Sequence, residues 1–324
     1  MIKRRGLMAS VLAVPAVVAG VGARAQGAWP NKPVKLILPY APGGATDLIG
    51  RPWADRLGQV FGQPFVVDNR GGAAGGIGTE AVAKSPGDGY TFLLTPAGPL
   101  TVLPHLRKVA YAVPKDLVPV ARVGDLVCGF TIRTELGINT MAELIAHAKK
   151  NPGKLAFGSA GAGSSTHMRI EALKAAANID ILHVPYRGSA DALNDLLAGN
   201  VQIMNEINVI PHVKAGKLKL LAVNNPTRHP DFPDVPTLTE AGLPNIDVPI
   251  WYAVWAPAST PKEIIAAFNA KAREIAAVPD MVARMRGINV VVPAETPEEM
   301  AAYFARDFAA NGKLIADKKI TLDG

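Results

Sequence analysis

Residues 38–50 read LPYAPGGATDLIG: an apolar, β-like segment runs into two glycines, then Thr-Asp, then the start of an amphipathic helix pattern. The loop contains no Lys, Arg or His, so anything it holds must be held mainly by its backbone. The first N–H groups of a helix have no intrahelical acceptor, and the aligned peptide dipoles place about half a positive charge there; a carboxylate or phosphate can bind without a basic side chain. Upstream, VKLILPY (34–40) reads as a strand, and residues 47–61 read as a helix in which Pro52 predicts a kink or a tightened first turn.

The same device recurs. Residues 154–177, KLAFGSAGAGSSTHMRIEALKAAA, pass from strand through a Gly/Ser loop to a helix. Glycines let backbone approach a ligand, and Ser164, Ser165 and Thr166 add hydroxyl donors. Two such termini facing across a cleft would clamp a ligand with an acidic group at each end, a dicarboxylate being the simplest. The plainer alternative is that Thr46 or Asp47 caps one helix and Ser165 or Thr166 the other, with no ligand. Asp47 would repel an anion, so it either braces the loop by accepting N–H bonds or meets a polar or amino group of the ligand; the same holds for Glu206. Arg51, Arg70, Arg169 and Arg187 read as solvated or structural.

Around these units strands and helices alternate: FVVDN (65–69), a glycine-rich loop and a helix at 79–84, YTFLLT (90–95), ILHVPY (181–186), a helix over 189–198 stopped by Gly199, VQIMN (201–205) and LKLLAV (218–223). This argues an α/β protein with mainly parallel sheets. Thr140, Thr260 and Thr296 each stand three residues before a Glu, predicting three capping boxes. Residues 226–238 are Pro-rich and predict a surface loop. Apolar runs near 122–132 and 247–255 are the places for the chain to cross between domains, giving one discontinuous domain of residues 26–125 plus 251–324 and a second of residues 126–250.

The N-terminus predicts an export signal: MIKRRG is basic, LMASVLAVPAVVAGVG is apolar but broken by Pro15, and Ala23-Arg24-Ala25 offers a cleavage site after Ala25. Lys3, Arg4, Arg5 and Arg24 leave with that segment, so the net charge falls from +7 to +3 and composition no longer supports nucleic-acid binding. A hydrophobic fraction of 49% with 19% charged residues suits a soluble globular protein. The single cysteine, Cys128, lies in an apolar run and reads as a small buried hydrophobe.

Enzyme signatures fare poorly. Neither Ser159, Ser164 nor Ser165 sits in G-x-S-x-G, the six histidines lack metal-ligand spacing, and no G-K-[ST] follows a glycine loop. Residues 76–81, GIGTEA, match the dinucleotide pattern G-x-G-x-x-A, but the next strand ends in Thr95 and Pro96 where a ribose-binding acid is expected. A nucleotide-dependent α/β oxidoreductase using Gly76 to Ala81 is therefore the alternative reading, and a glycine-rich turn the plainer one.

The chain resembles the solute-binding proteins of tripartite tricarboxylate transporters, the Bug family. The matching stretches are WPNKPVKLILPYAPGGATD (29–47), GQPFVVDNRGGAAGGIGTEAVAKSPGDGYTFLL (62–94), FGSAGAGSSTH (157–167), HVPYRGSADALNDLLAGNVQ (183–202), PHVKAGKLKLLAV (211–223) and WYAVWAPASTPKEI (251–264). The resemblance implies a type II periplasmic-binding-protein fold, two α/β domains joined by crossing hinge strands and closing like a Venus flytrap. It implies a non-enzymatic periplasmic receptor, monomeric and without metal or cofactor. Such a receptor hands a small carboxylated ligand (a di- or tricarboxylate, an acidic amino acid or an aromatic acid) to membrane permease subunits. Carried onto this sequence, the ligand-binding positions are Ala41, Gly43, Gly44 and Asp47 in the first motif and Ser159, Ala160, Gly161, Ser164, Ser165, Thr166 and His167 in the second, with Tyr40 and Tyr186 as cleft walls. Where many relatives carry Phe-Asp and a longer loop, this chain has Asn205-Glu206-Ile207-Asn208, so the far end of the ligand site is expected to be its own. Asn311 stands where relatives commonly have an aromatic residue.

Overall fold

The computed structural model describes residues 29–322 except 245 and 247–249. The expected signal segment, 1–25, lies outside the described residues. In chain order the first elements are β1 (Val34–Leu38), α1 (Ala45–Phe61), β2 (Phe65–Asn69), α2 (Gly76–Ala83), β3 (Thr91–Pro96), α3 (Gly98–Thr101), α4 (Leu103–Leu106) and β4 (Leu117–Leu126). Then follow β5 (Gly129–Arg133), α5 (Met141–Lys150), β6 (Ala156–Ser159), α6 (Ser165–Ala177), β7 (Leu182–Pro185), α7 (Ser189–Ala198), β8 (Ile203–Met204), α8 (Ile210–Lys214) and β9 (Leu218–Val223). The chain closes with β10 (Trp251–Pro257), α9 (Lys262–Ala276), α10 (Pro279–Gly287), β11 (Val290–Val291) and α11 (Pro297–Lys318).

These strands form two sheets, ordered β11-β4-β10-β3-β1-β2 and β7-β6-β8-β5-β9. The β1–β2, β1–β3, β6–β7 and β6–β8 pairs are parallel, as helical crossovers require, while β10 and β5 pair antiparallel with their neighbours. Each sheet with its helices makes a lobe. Strands buried on both faces read as near-continuous apolar runs, and β10 shows it: Tyr252, Val254 and Ala256 pack into one cluster of the first lobe and Trp251, Ala253 and Trp255 into the cluster on the opposite face. In the second lobe Phe130 and Phe157 face one core, Ala156 and Met204 the other.

The chain passes from the first sheet to the second between Leu126 and Gly129. Cys128 sits fully buried in that link, as its apolar context predicts. Beside the link, Ile250 returns toward the first sheet, and its carbonyl accepts a 2.9 Å hydrogen bond from the Leu126 amide. The lobes are thus joined by adjacent, mutually hydrogen-bonded segments.

Of the three predicted capping boxes one forms in full, and at a second site the threonine caps without the return bond. Thr296 and Glu299 make the full reciprocal box, and Thr140 accepts from the Glu143 amide while Glu143 reaches back to the Asn139 amide instead of that of Thr140. At the third site Thr260 does not cap. Pro261 is extended (ψ 137°), α9 begins one residue later at Lys262, and the Pro261 carbonyl takes the Ile264 amide, leaving the buried Thr260 hydroxyl without a partner. The helix α1 runs on through Pro52.

Candidate ligand-binding site

The first motif turns at Gly43, whose φ of +80° favours glycine, and α1 begins at Ala45 with Gly44 at its N-cap. No side chain caps this helix in the usual way, so the plainer alternative of a cap by Thr46 or Asp47 does not hold. Asp47 instead braces the loop from behind. Its Oδ2 accepts from the Gly43 amide (3.1 Å) and from Arg51 (2.8 Å), and its Oδ1 from Asn69, whose amide also donates to the Tyr40 carbonyl. Burial opposes the Asp47 charge, but the Arg51 hydrogen bond, the Gly43 amide and Asn69 outweigh it and hold the carboxyl below its ordinary range.

In the second motif the cap is Ser164, not Ser165 or Thr166: its hydroxyl accepts from the His167 amide at 3.2 Å. The rest of the loop is tied to itself. The Ala160 amide donates to Thr166 Oγ1, the Gly161 amide to Ser159 Oγ, and the Gly163 amide to His167 Nδ1. Ser159 Oγ lies 2.6 Å from His183 Nε2, and the rings of His167 and His183 stack at 4.1 Å. Burial pushes His167 down to about 4 and His183 down to about 3, so both imidazoles are neutral spacers at physiological pH.

The two motifs meet across one cavity. Of the residues predicted from sequence, Tyr40, Gly44, Ala160, Ser164, Ser165, Thr166 and Glu206 line it. Ala41, Gly43, Asp47, Ser159, Gly161, His167 and Tyr186 do not reach its wall; they shape the loops, and Tyr186 donates through its hydroxyl to Asp195. The lining also includes Ala45, Thr46, Pro96, Ser189, Ile250 and Tyr252, which sequence reasoning missed. Ser189 was the most discoverable, since it opens α7 immediately after a glycine. Its Oγ accepts the Ala45 amide at 3.1 Å, so the second lobe itself occupies one donor of the first helix terminus. The Thr46, Ser165 and Thr166 amides have no acceptor among the described residues. No Lys, Arg or His of the described residues lines the cavity.

Glu206 closes the far side, between β8 and a short 3₁₀ turn. It is 4% exposed, its Oε2 has no hydrogen-bond partner, and burial, opposed by Arg169 and the Ile207 amide, pushes its carboxyl up to about 7. Arg169 is structural: buried on α6, it donates to Asn205 Oδ1 (2.5 Å) and Cys128 Sγ (2.9 Å). Asn205 in turn donates to Asn224.

The glycine pattern at 76–81 serves packing. A Cβ at Gly78 would lie 2.7 Å from Pro39 Cβ and 2.8 Å from the Arg70 carbonyl, so this glycine lets α2 press against the end of β1. None of its residues lines the cavity.

Known proteins place this arrangement. The profile described as "Tripartite tricarboxylate transporter family receptor" matches residues 49–320. The chain is 36% identical over 301 residues to protein BugT of Bordetella pertussis, covering 91% of this chain and 92% of that one. It is similar to the solved structure of Rhodopseudomonas palustris Rpa4515 with adipate (TM-score 0.87, 32% identity, 90% and 99% of the two chains). It is also similar to that of MatC from the same organism with bound malate (TM-score 0.84, 28% identity, 89% and 100%). The two-lobed fold with its crossing segments is that of periplasmic binding proteins, and the chain belongs to the tripartite tricarboxylate transporter receptor family, a family of solute-binding receptors and not of enzymes.

Proposed function

We propose that this receptor captures a small carboxylated ligand between its lobes in the periplasm and, as a monomer, delivers it to the membrane subunits of a tripartite tricarboxylate-type permease. The observation that carries the reading is the convergence of two strand–loop–helix units from different sheets on one cavity that offers helix-terminal amides and hydroxyls but, among the described residues, no basic side chain. Main-chain donors at two helix termini can neutralise an anion at each end. The adipate and malate carried by the two structural relatives are dicarboxylates and fit that donor set.

The mechanism we infer is hinge closure. The described residues within 26–125 and 251–324 form one jaw and those within 126–250 the other, with Cys128 and Ile250 at the hinge. Ligand favours the closed form because only there do both sets of amides face it. The roles assigned to Tyr40, Gly44, Ala160, Ser164, Ser165, Thr166 and Glu206 are direct contact; those of Ala41, Gly43, Asp47, Ser159, Gly161, His167 and Tyr186 are to hold the contacting loops in shape. A thermal melt against adipate, malate, glutamate, benzoate and NAD tests the reading. A ligand at about 100 times its Kd adds about 2.7 kcal/mol; a carboxylate in the panel is expected to raise Tm and NAD to leave it unchanged. Stabilisation by NAD alone refutes the proposal.

A further inference from the structure

Glu206 is the one carboxylate among the described residues that line the cavity. Its Oε2 is buried and receives no hydrogen bond from the described residues. None of the hydroxyls around it bonds to it: Ser164 accepts from the His167 amide and pairs with Thr166, while Ser165 and Ser189 accept from the Gly98 and Ala45 amides and keep their own O–H donors for a ligand. An anion entering this space beside an ionised, buried carboxylate meets like charge in a medium that screens it poorly. Protonation removes that repulsion and turns the unpartnered oxygen into a donor.

We infer that Glu206 takes up a proton from solvent as a carboxylate ligand enters the cleft and, as a neutral carboxyl, donates a hydrogen bond to it, so that affinity rises as pH falls. This rests on the carboxylate-receptor reading above.

The groups facing Glu206 leave it as the titrating one. From the end of β1 comes Tyr40, from β10 Tyr252, and from the link between β4 and β5 Cys128; burial pushes all three above their ordinary ranges, so they stay neutral. From α6 comes Arg169, a positive neighbour held by Asn205 and Cys128 that favours the ionised form but is outweighed by burial. His167, behind the same loop, is neutral down to about 4. With its carboxyl raised to about 7, Glu206 in the empty cleft is half protonated near neutrality, and an incoming anion completes the process.

Calorimetry of the purified protein with adipate, malate and glutamate, in phosphate and in Tris, measures the protons exchanged on binding. Expected are uptake of about half a proton per dicarboxylate at pH 7 and a Kd about tenfold weaker at pH 8 than at pH 6. Glu206→Gln is expected to abolish both the uptake and the pH dependence, and the wild-type proton count stands even if that variant folds poorly. Adipate or malate binding with no proton uptake overturns the inference alone, as does glutamate binding with proton release, which would mean an ionised Glu206 paired with the ligand ammonium. No binding of any of the three acids removes the receptor reading and this inference with it.

Discussion

The amide of Gly98 donates a 2.8 Å hydrogen bond to Oγ of Ser165, joining α3 of the first lobe to the N-terminus of α6 in the second. A Cβ at Gly98 would stand 2.5 Å from the Ser165 amide nitrogen. The contact therefore exists only when the lobes are together, and it tolerates no side chain.

Closure can be loosened here without touching the cavity, because Gly98 does not line it. Gly98→Ala is expected to weaken dicarboxylate binding at least tenfold while leaving each lobe folded. Ser165 lines the cavity, so Ser165→Ala removes the interlobe hydrogen bond, worth about 1 kcal/mol or about fivefold in Kd, together with any contact of its hydroxyl to the ligand, and weakens binding at least that much. Small-angle scattering checks the mechanism: the Gly98→Ala protein should remain at the larger, open radius under adipate concentrations that compact the wild type.

Gly44 presents the same logic on the opposite side. A Cβ there would meet Ser189 Oγ at 2.9 Å and the Ser189 and Ala190 amides at 3.6 and 3.7 Å. Gly44→Val is expected to prop the jaws apart and abolish ligand-induced stabilisation, with an unchanged far-ultraviolet circular dichroism spectrum. Ser189→Gly, paired with Gly44→Ala, should recover part of the lost affinity, since it removes the hydroxyl that the new methyl strikes.

Glu206 also leaves a signature in the empty protein. Its folded-state carboxyl is raised from 4.5 to about 7, so between those values the native state binds a proton that the unfolded chain does not. Stability from this group is complete below about pH 4.5 and is lost as pH rises through about 7, an effect on the order of 3 kcal/mol. Glu206→Gln should therefore raise the Tm of ligand-free protein at pH 8 and leave it nearly unchanged at pH 5. A Tm gain at pH 5 as large as that at pH 8 would rule out the raised carboxyl.

Much of this architecture is written locally. Strand alternation, the Gly199 stop of α7, the Thr296 box and the two glycine loops all rest on interactions within a few residues, so the sequence displays them. The cavity wall is written non-locally. Tyr252 and Ile250 arrive from the far end of the chain, and Ser189 reaches Ala45 only because two lobes fold together. His167 reads as a ligand contact because it sits in the right loop, whereas for Asp47 the sequence offers two roles, loop brace or ligand contact, and the brace is the one observed. The Asp47 and His167 side chains point at Gly43 and Gly163, the glycines whose backbone must be held in the left-handed region. Pattern places a residue in a loop; only the folded loop decides which face it presents. Thr260 shows the same limit at one helix start, where a single extended proline shifted the cap.

The stacked pair His167 and His183 gives a prediction of opposite sign to that of Glu206. Burial depresses His167 from 6.5 to about 4, so on acidification the unfolded chain takes up a proton that the folded one refuses. The contribution is fully present above about pH 6.5 and is lost as pH falls toward about 4, again on the order of 3 kcal/mol. Glu206 gains over much of the same window, but His183, pushed down to about 3, loses alongside His167, so wild-type stability is expected to fall from pH 7 to 5 and the opposing slopes separate in variants. His167→Gln keeps an acceptor for the Gly163 amide and loses the titration. It should be less stable than wild type at pH 7 through lost stacking on His183, yet the deficit should shrink, measured by urea midpoints, as pH is lowered to 5. Glu206→Gln should do the reverse and expose a steep acid loss. A deficit in His167→Gln that stays constant from pH 7 to 5 would show that the buried pair does not control acid stability.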